Sequence, residues 1–212
     1  MQVIWINLLL FDMIENAKIV LSPKELELVS NTDWILTKHT IINKVYAIFG
    51  SIAADMQTTI HNSDLPQKVK DTTPKIAKGE NYQLLPYVML DYPRYFNSEN
   101  TMAIRIFFWW GNSISIHLLI SGKYKEDAIN KLERNFNFLQ ENNYSICIAE
   151  TPWQHHFGAD NYISFKEYTS EEFSNTLYRE SFIKIGKKIS LSQWDDVPEF
   201  LKISFCEMLG VV

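Results

Sequence analysis

The 212-residue chain is 46% apolar, 21% charged and 14% aromatic, with a formal net charge of −5. It is long enough to bury a core without disulfides or metal and too rich in large rings for extended disorder. The acidic balance argues against nucleic acid as a partner, because binding phosphate draws on surplus Lys and Arg that release counterions.

Two cysteines, Cys147 and Cys206, stand far apart, and neither has a Cys or His at zinc-finger spacing. The chain therefore reads as free of a disulfide framework and suited to a reducing, cytoplasmic compartment. Met1 to Phe11 form an apolar run that lacks the Lys or Arg of a signal peptide, and Asp12 and Glu15 follow without a small-residue cleavage site. No stretch reaches the length of a membrane span. The run is expected to pack onto the body as a strand or short helix.

In chain order, Ser22-Pro23-Lys24-Glu25 combines a capping Ser, a Pro suited to the first turn and a Glu placed to close a capping box. It predicts a short helix to about Ser30. Asn31-Thr32-Asp33 offers a second cap, after which Ile35, Ile42, Val45, Phe49, Ile52, Met56 and Ile60 recur at helical spacing. One long amphipathic helix should therefore reach about His61, with Gly50 marking close packing or a bend. Beyond Asn62 the composition turns polar around Pro66 and Pro74, and residues 64–79 read as a loop.

Strands are predicted at Leu85 to Leu90, Met102 to Trp110, Ile114 to Ile120, Ser145 to Glu150, Tyr162 to Phe165 and Phe182 to Ile189. Between them, Ile129, Leu132, Phe136 and Leu139 form a helical stripe, and Thr169-Ser170-Glu171-Glu172 is a capping box opening a second helix. Asp196-Val197-Pro198-Glu199 starts a C-terminal helix that turns Leu201, Phe205, Met208 and Leu209 inward. The fold class is α+β, with an antiparallel or mixed sheet of about five to six strands, an N-terminal helical pair including one long helix, and a C-terminal helix. A single domain over residues 1–212 is expected: 1–63 mainly helical, 64–79 loop, and 80–212 sheet with helices. No Gly-rich turn follows a strand in the manner of a phosphate cradle, so a Rossmann or P-loop site is not expected.

The segments Met102 to Trp110 and Ser113 to Ser121, joined by Gly111-Asn112, read as a β-hairpin. Strand alternation places Ile114, Ile116, Leu118 and Ile120 on one face, and Ser113, Ser115, His117, Leu119 and Ser121 on the other. Arg105 should lie near His117, and Trp109-Trp110 should put one indole on each side. The functional reading is a concave face with His117 as acid or base and Arg105 as an anion clamp; the structural reading is an ordinary solvent face. Asp91-Tyr92-Pro93-Arg94-Tyr95-Phe96 reads either as a loop at a pocket mouth, with Arg94 binding a carboxylate or phosphate, or as a turn in which Asp91 pairs with Arg94.

His155 and His156 invite a metal, but adjacent residues share one ion only in a loop, so no metal site is expected. Lys184, Lys187 and Lys188 read as a solvated strand face. No nucleophile elbow, zinc-protease pair or kinase signature appears, and no cofactor is implied. The reading that results is a non-catalytic module binding a small molecule or a protein through Asp91, Arg94, Arg105, Trp109 and His117. Alternatives are a small hydrolase or transferase pairing a His with a carboxylate, and a homo-oligomeric subunit whose Trp and Tyr residues form a homodimer interface.

Overall fold

A computed structural model describes residues 19–212, and the apolar run at the N-terminus lies outside the described residues. The chain divides into two compact units, residues 1–44 and 45–212. The long helix contributes to both.

In the first unit, α1 (Pro23–Ser30) starts as the capping box requires. Ser22 Oγ accepts from the Glu25 amide, the Glu25 carboxylate accepts from the Ser22 amide, and Pro23 fills the first turn. No residue of α1 is buried. Ile19, Val20, Leu21, Leu26, Val29 and Leu36 are each more than half exposed.

Helix α2 (Thr32–His61) is one unbroken element in which Asn31 Oδ1 accepts from the Trp34 amide. In the second unit its buried side chains are Val45, Phe49, Ile52, Ala53, Met56 and Ile60, the stripe set by the sequence spacing. Gly50 lies on the exposed side, and a Cβ placed there meets nothing within 4 Å, so it does not serve close packing.

The segment expected as a loop is structured over most of its length. It contains a single turn, α3 (Gln67–Lys70), and from Lys75 the first strand of the sheet. That strand escapes a hydropathy reading because its sequence, KIAKGENY, is polar and mostly solvent-facing, as an edge strand should be. The β1 to β2 turn is equally illegible: Gln83 and Leu84 take left-handed φ of 48° and 66°, a conformation that Asn-Gly favours.

The sheet has seven strands, more than the expected five to six, in the order β1-β2-β3-β4-β7-β5-β6, every pair antiparallel. The strands are β1 (Lys75–Tyr82), β2 (Leu85–Phe96), β3 (Thr101–Trp109), β4 (Ser113–Ser121), β5 (Ser145–Cys147), β6 (Tyr162–Ser164) and β7 (Phe182–Ser190). Residues 91–96 are thus strand and not a loop. The register shifts across Tyr92-Pro93, where proline has no amide to give the ladder.

The hairpin forms as read, with a three-residue connection because Trp109 pairs with Ser113; Gly111 supplies the φ of 69° the turn needs. One sheet face carries Val88, Leu90, Ile104, Ile106, Phe108, Ile114, Ile116, Leu118, Ile120, Ile183 and Ile185, all buried. On that side α4 (Lys123–Arg134) and α7 (Val197–Gly210) pack on β4. There Thr59, Met102, Tyr124 and Leu209 line a concavity of about 620 Å³. Helices α5 (Phe136–Glu141) and α6 (Ser170–Arg179) complete the chain. Among the described residues no helix is long and apolar enough to cross a membrane.

Gly50→Ala should raise stability by about 1 kcal/mol, since the substitution removes backbone freedom from the unfolded chain without a clash. A rise in the chemical denaturation midpoint with an unchanged slope is the expected result.

Candidate functional site

The opposite face of the sheet holds the chemistry. Strand pairing aligns Lys75, Asp91, Arg105, His117, Gly186, Ser145 and Ser164 in one row from edge to edge. Because paired residues share a face, one row brings together side chains from distant parts of the chain. Over it lies the connection from β5 to β6, residues 148–161.

Asp91 and Arg105 form a bidentate pair at the centre. Arg105 Nε donates to Asp91 Oδ1 at 2.6 Å, and Nη2 donates to Oδ2 at 2.8 Å. Their side chains are 8% and 18% exposed, so the pair is nearly desolvated, and each charge needs the other. Arg105 also directs Nη1 at His155 Nε2, 3.0 Å away. On its other side, His155 Nδ1 is 3.2 Å from Lys184 Nζ. Lys184, 1% exposed, donates to the carbonyls of Pro152, at 2.8 Å, and Gln154. The expected solvated position for Lys184 is therefore wrong: the face that β7 turns away from Ile183 and Ile185 is covered by the 148–161 segment.

His117 stands beside this chain in a set of its own. Tyr162 OH lies 2.7 Å from Nδ1, and Ser115 Oγ lies 2.8 Å from Nε2 and 3.5 Å from the Phe107 carbonyl. The assignment that satisfies all three groups has Tyr162 donating to His117 Nδ1, His117 Nε2 donating to Ser115, and Ser115 donating to the carbonyl. Desolvation, then the neighbouring basic groups Lys184, His155 and Arg105, hold the His117 pKa well below its ordinary value. Burial pushes the Tyr162 hydroxyl well up. His117 is thus a neutral core residue whose partners are a serine and a tyrosine. The space for it comes from Gly186, where a Cβ would sit 2.8 Å from His117 Nδ1.

The covering segment is held at several points. Tyr82 OH accepts from the His155 and His156 amides at 2.7 and 3.0 Å and donates to Gln154 Oε1 at 3.2 Å. Asn161 Nδ2 donates to the His156 carbonyl, and Phe157 stacks on Tyr162 with centroids 4.4 Å apart.

Among the described residues, two spaces open on this face. One, about 20 Å³, lies among Asp91, Arg105, His117, His155 and Lys184, with Phe96 and Trp153 at its rim. It has room for about one water molecule. The other is a cleft of about 520 Å³ at the hairpin end, lined by Trp109, Asn112, Ser113, His156, Phe157, Gly158, Lys188 and Ser190. That is the size of a small-ligand pocket. Lys188 is exposed there and lies 5.4 Å from the Phe157 ring centre.

Of the residues singled out in the sequence, Asp91, Arg105 and His117 meet in one row, and Trp109 lines the cleft further along the same face. Arg94 does not join them: its Nε donates to the Thr73 carbonyl at 2.8 Å, and Asp91 pairs with Arg105 instead of Arg94. Lys184, Tyr162, Tyr82 and Lys188 were not foreseen. Alternation around Ile183 and Ile185 marks Lys184 as facing away from the apolar side, but only the fold shows that side to be covered.

Asp91→Ala should cost about 3–5 kcal/mol, because it leaves a buried guanidinium unpaired. Asp91→Asn, which keeps an acceptor oxygen, should cost less. Chemical denaturation of the two variants orders them. Compared with models of known protein families, with curated proteins and with solved structures, the chain matches none.

Proposed function

We propose that the protein is a non-catalytic binding module for a small planar ligand bearing a carboxylate or phosphate, seated in the cleft at the hairpin end. The observation that carries this reading is the lining. Within one space of about 520 Å³ stand an indole, an exposed ammonium, an imidazole and two serine hydroxyls. A ring on the Trp109 side and an anion near Lys188 use both kinds of wall, with hydroxyls left to fix orientation. The acid–base alternative draws no support from the histidines. His117 bonds to Ser115 and Tyr162, His155 lies between Arg105 and Lys184, and His156 Nδ1 is 3.7 Å from the exposed Asp160 carboxylate. Two free thiols, Cys147 buried and Cys206 exposed, support a reducing, cytoplasmic setting.

Indole-3-carboxylate is a suitable probe, with its uncharged amide as the comparison. Titration calorimetry should show the carboxylate binding about 5–10-fold more tightly than the amide, and Lys188→Ala should remove that preference. Equal affinities, or a preference unchanged in the variant, would rule the cleft out as an anion site.

A second reading, a homo-oligomeric subunit, is favoured by a different observation: α1 buries nothing, and six large apolar side chains between Ile19 and Leu36 are more than half exposed. Light scattering should then report an oligomer that Leu26→Glu with Val29→Glu dissociates. A monomer at high concentration would sink this reading.

A further inference from the structure

Hydrogen-bond accounting around His155 fixes the charge of Lys184. A guanidinium only donates, so Arg105 Nη1 at 3.0 Å makes His155 Nε2 the lone-pair nitrogen. Desolvation, followed by Lys184, Arg105 and His156, pushes the His155 pKa down to about 2, so the ring is neutral and carries its proton on Nδ1. That N–H faces Lys184 Nζ at 3.2 Å. An ammonium would set N–H against N–H. A neutral amine has one lone pair for His155 Nδ1–H and two N–H groups for the carbonyls of Pro152 and Gln154. Every polar proton and lone pair of the His155 ring and the Lys184 amine then has one partner.

We infer that Lys184 is a pH-controlled clamp on residues 148–161: uncharged, it ties His155 to the carbonyls of Pro152 and Gln154, and on protonation it sets N–H against the His155 N–H, breaking that tie and loosening the segment that also forms the cleft wall of His156, Phe157 and Gly158. The effect on ligand binding rests on the binding reading above; the clamp itself does not.

The ionisable groups around Lys184 come from every neighbouring element. Desolvation lowers its pKa most; Cys147 on β5 opposes this, and Arg105 on β3 adds to it, the result being about 7. The Tyr162 ring of β6, 5.4 Å from Nζ, also favours the cation. Asp91 on β2 is committed to Arg105 through both oxygens, His117 on β4 is neutral, and Tyr82 of β1 is engaged by the covering segment. With its pKa depressed from 10.5, the closed arrangement binds fewer protons than the open or unfolded one. The stabilisation is full above about pH 10.5 and is lost as pH falls through about 7.

The test uses the full chain. At about pH 8.5, the ¹⁵N resonance of Lys184 Nζ should be that of a neutral amine. Amide exchange in residues 148–161, corrected for intrinsic rates, should be at least about tenfold faster near pH 6 than near pH 8.5, with β3 and β4 unchanged. Lys184→Met should make exchange in the segment independent of pH. Indole-3-carboxylate should bind about tenfold more weakly at the lower pH. An ammonium resonance at the higher pH, or flat exchange in the wild type, overturns the clamp, and neither requires a variant that folds. If the probe binds and exchange is flat, the clamp fails and the cleft reading stands. If exchange follows pH and the probe never binds, the clamp stands and the cleft reading fails.

Discussion

The bidentate pair between Asp91 and Arg105 sets the polar face of this sheet. Once the carboxylate takes Nε and Nη2, the third direction of the guanidinium is fixed on His155, because a planar fork cannot turn one nitrogen without moving the others. That contact determines which imidazole nitrogen carries the proton, and the proton determines the charge on Lys184. The net contribution of such a pair to stability is modest after desolvation. Its larger effect is geometric: one carboxylate orders three further polar groups and, through Lys184, the segment above them.

The two faces of the sheet solve burial differently. Against the helices, Ile, Leu, Val and Phe side chains close a dry core. Under residues 148–161, buried polar groups are retained, and each is matched to a partner of the right donor or acceptor type. Desolvation turns this matching into charge control, keeping His117 and His155 neutral and bringing Lys184 close to neutrality in the physiological range. Gly186 and Gly111 serve that face directly, one by making room for His117 and the other by closing the hairpin that pairs Arg105 with His117.

The covering segment joins the two spaces on this face. Its first part closes the small cavity through Pro152, Trp153 and His155, and its next three residues wall the open cleft. Tyr82 OH bonds to both amides at the junction, so a change at one space is transmitted over a single residue. The cleft itself is built from ends of elements: Trp109 and Ser113 flank the hairpin turn, and Lys188 and Ser190 close β7.

Local signals in the sequence determined most of the helices and the central hairpin. The capping boxes at Ser22 and Thr169, the stripe from Val45 to Ile60, the hairpin about Gly111 and the nearness of Arg105 to His117 follow from hydrogen-bond chemistry and side-chain spacing over a few residues. Three things depended on the tertiary structure. An edge strand as polar as KIAKGENY has no apolar face to announce it. The strand through Tyr92-Pro93 carries residues typical of turns and is held by its neighbours. The third is Lys184, a lysine on a strand face that reads as solvated until residues thirty positions earlier in the chain fold over it. Burial, and with it charge, is a property of what covers a residue, and the covering group here is distant in sequence.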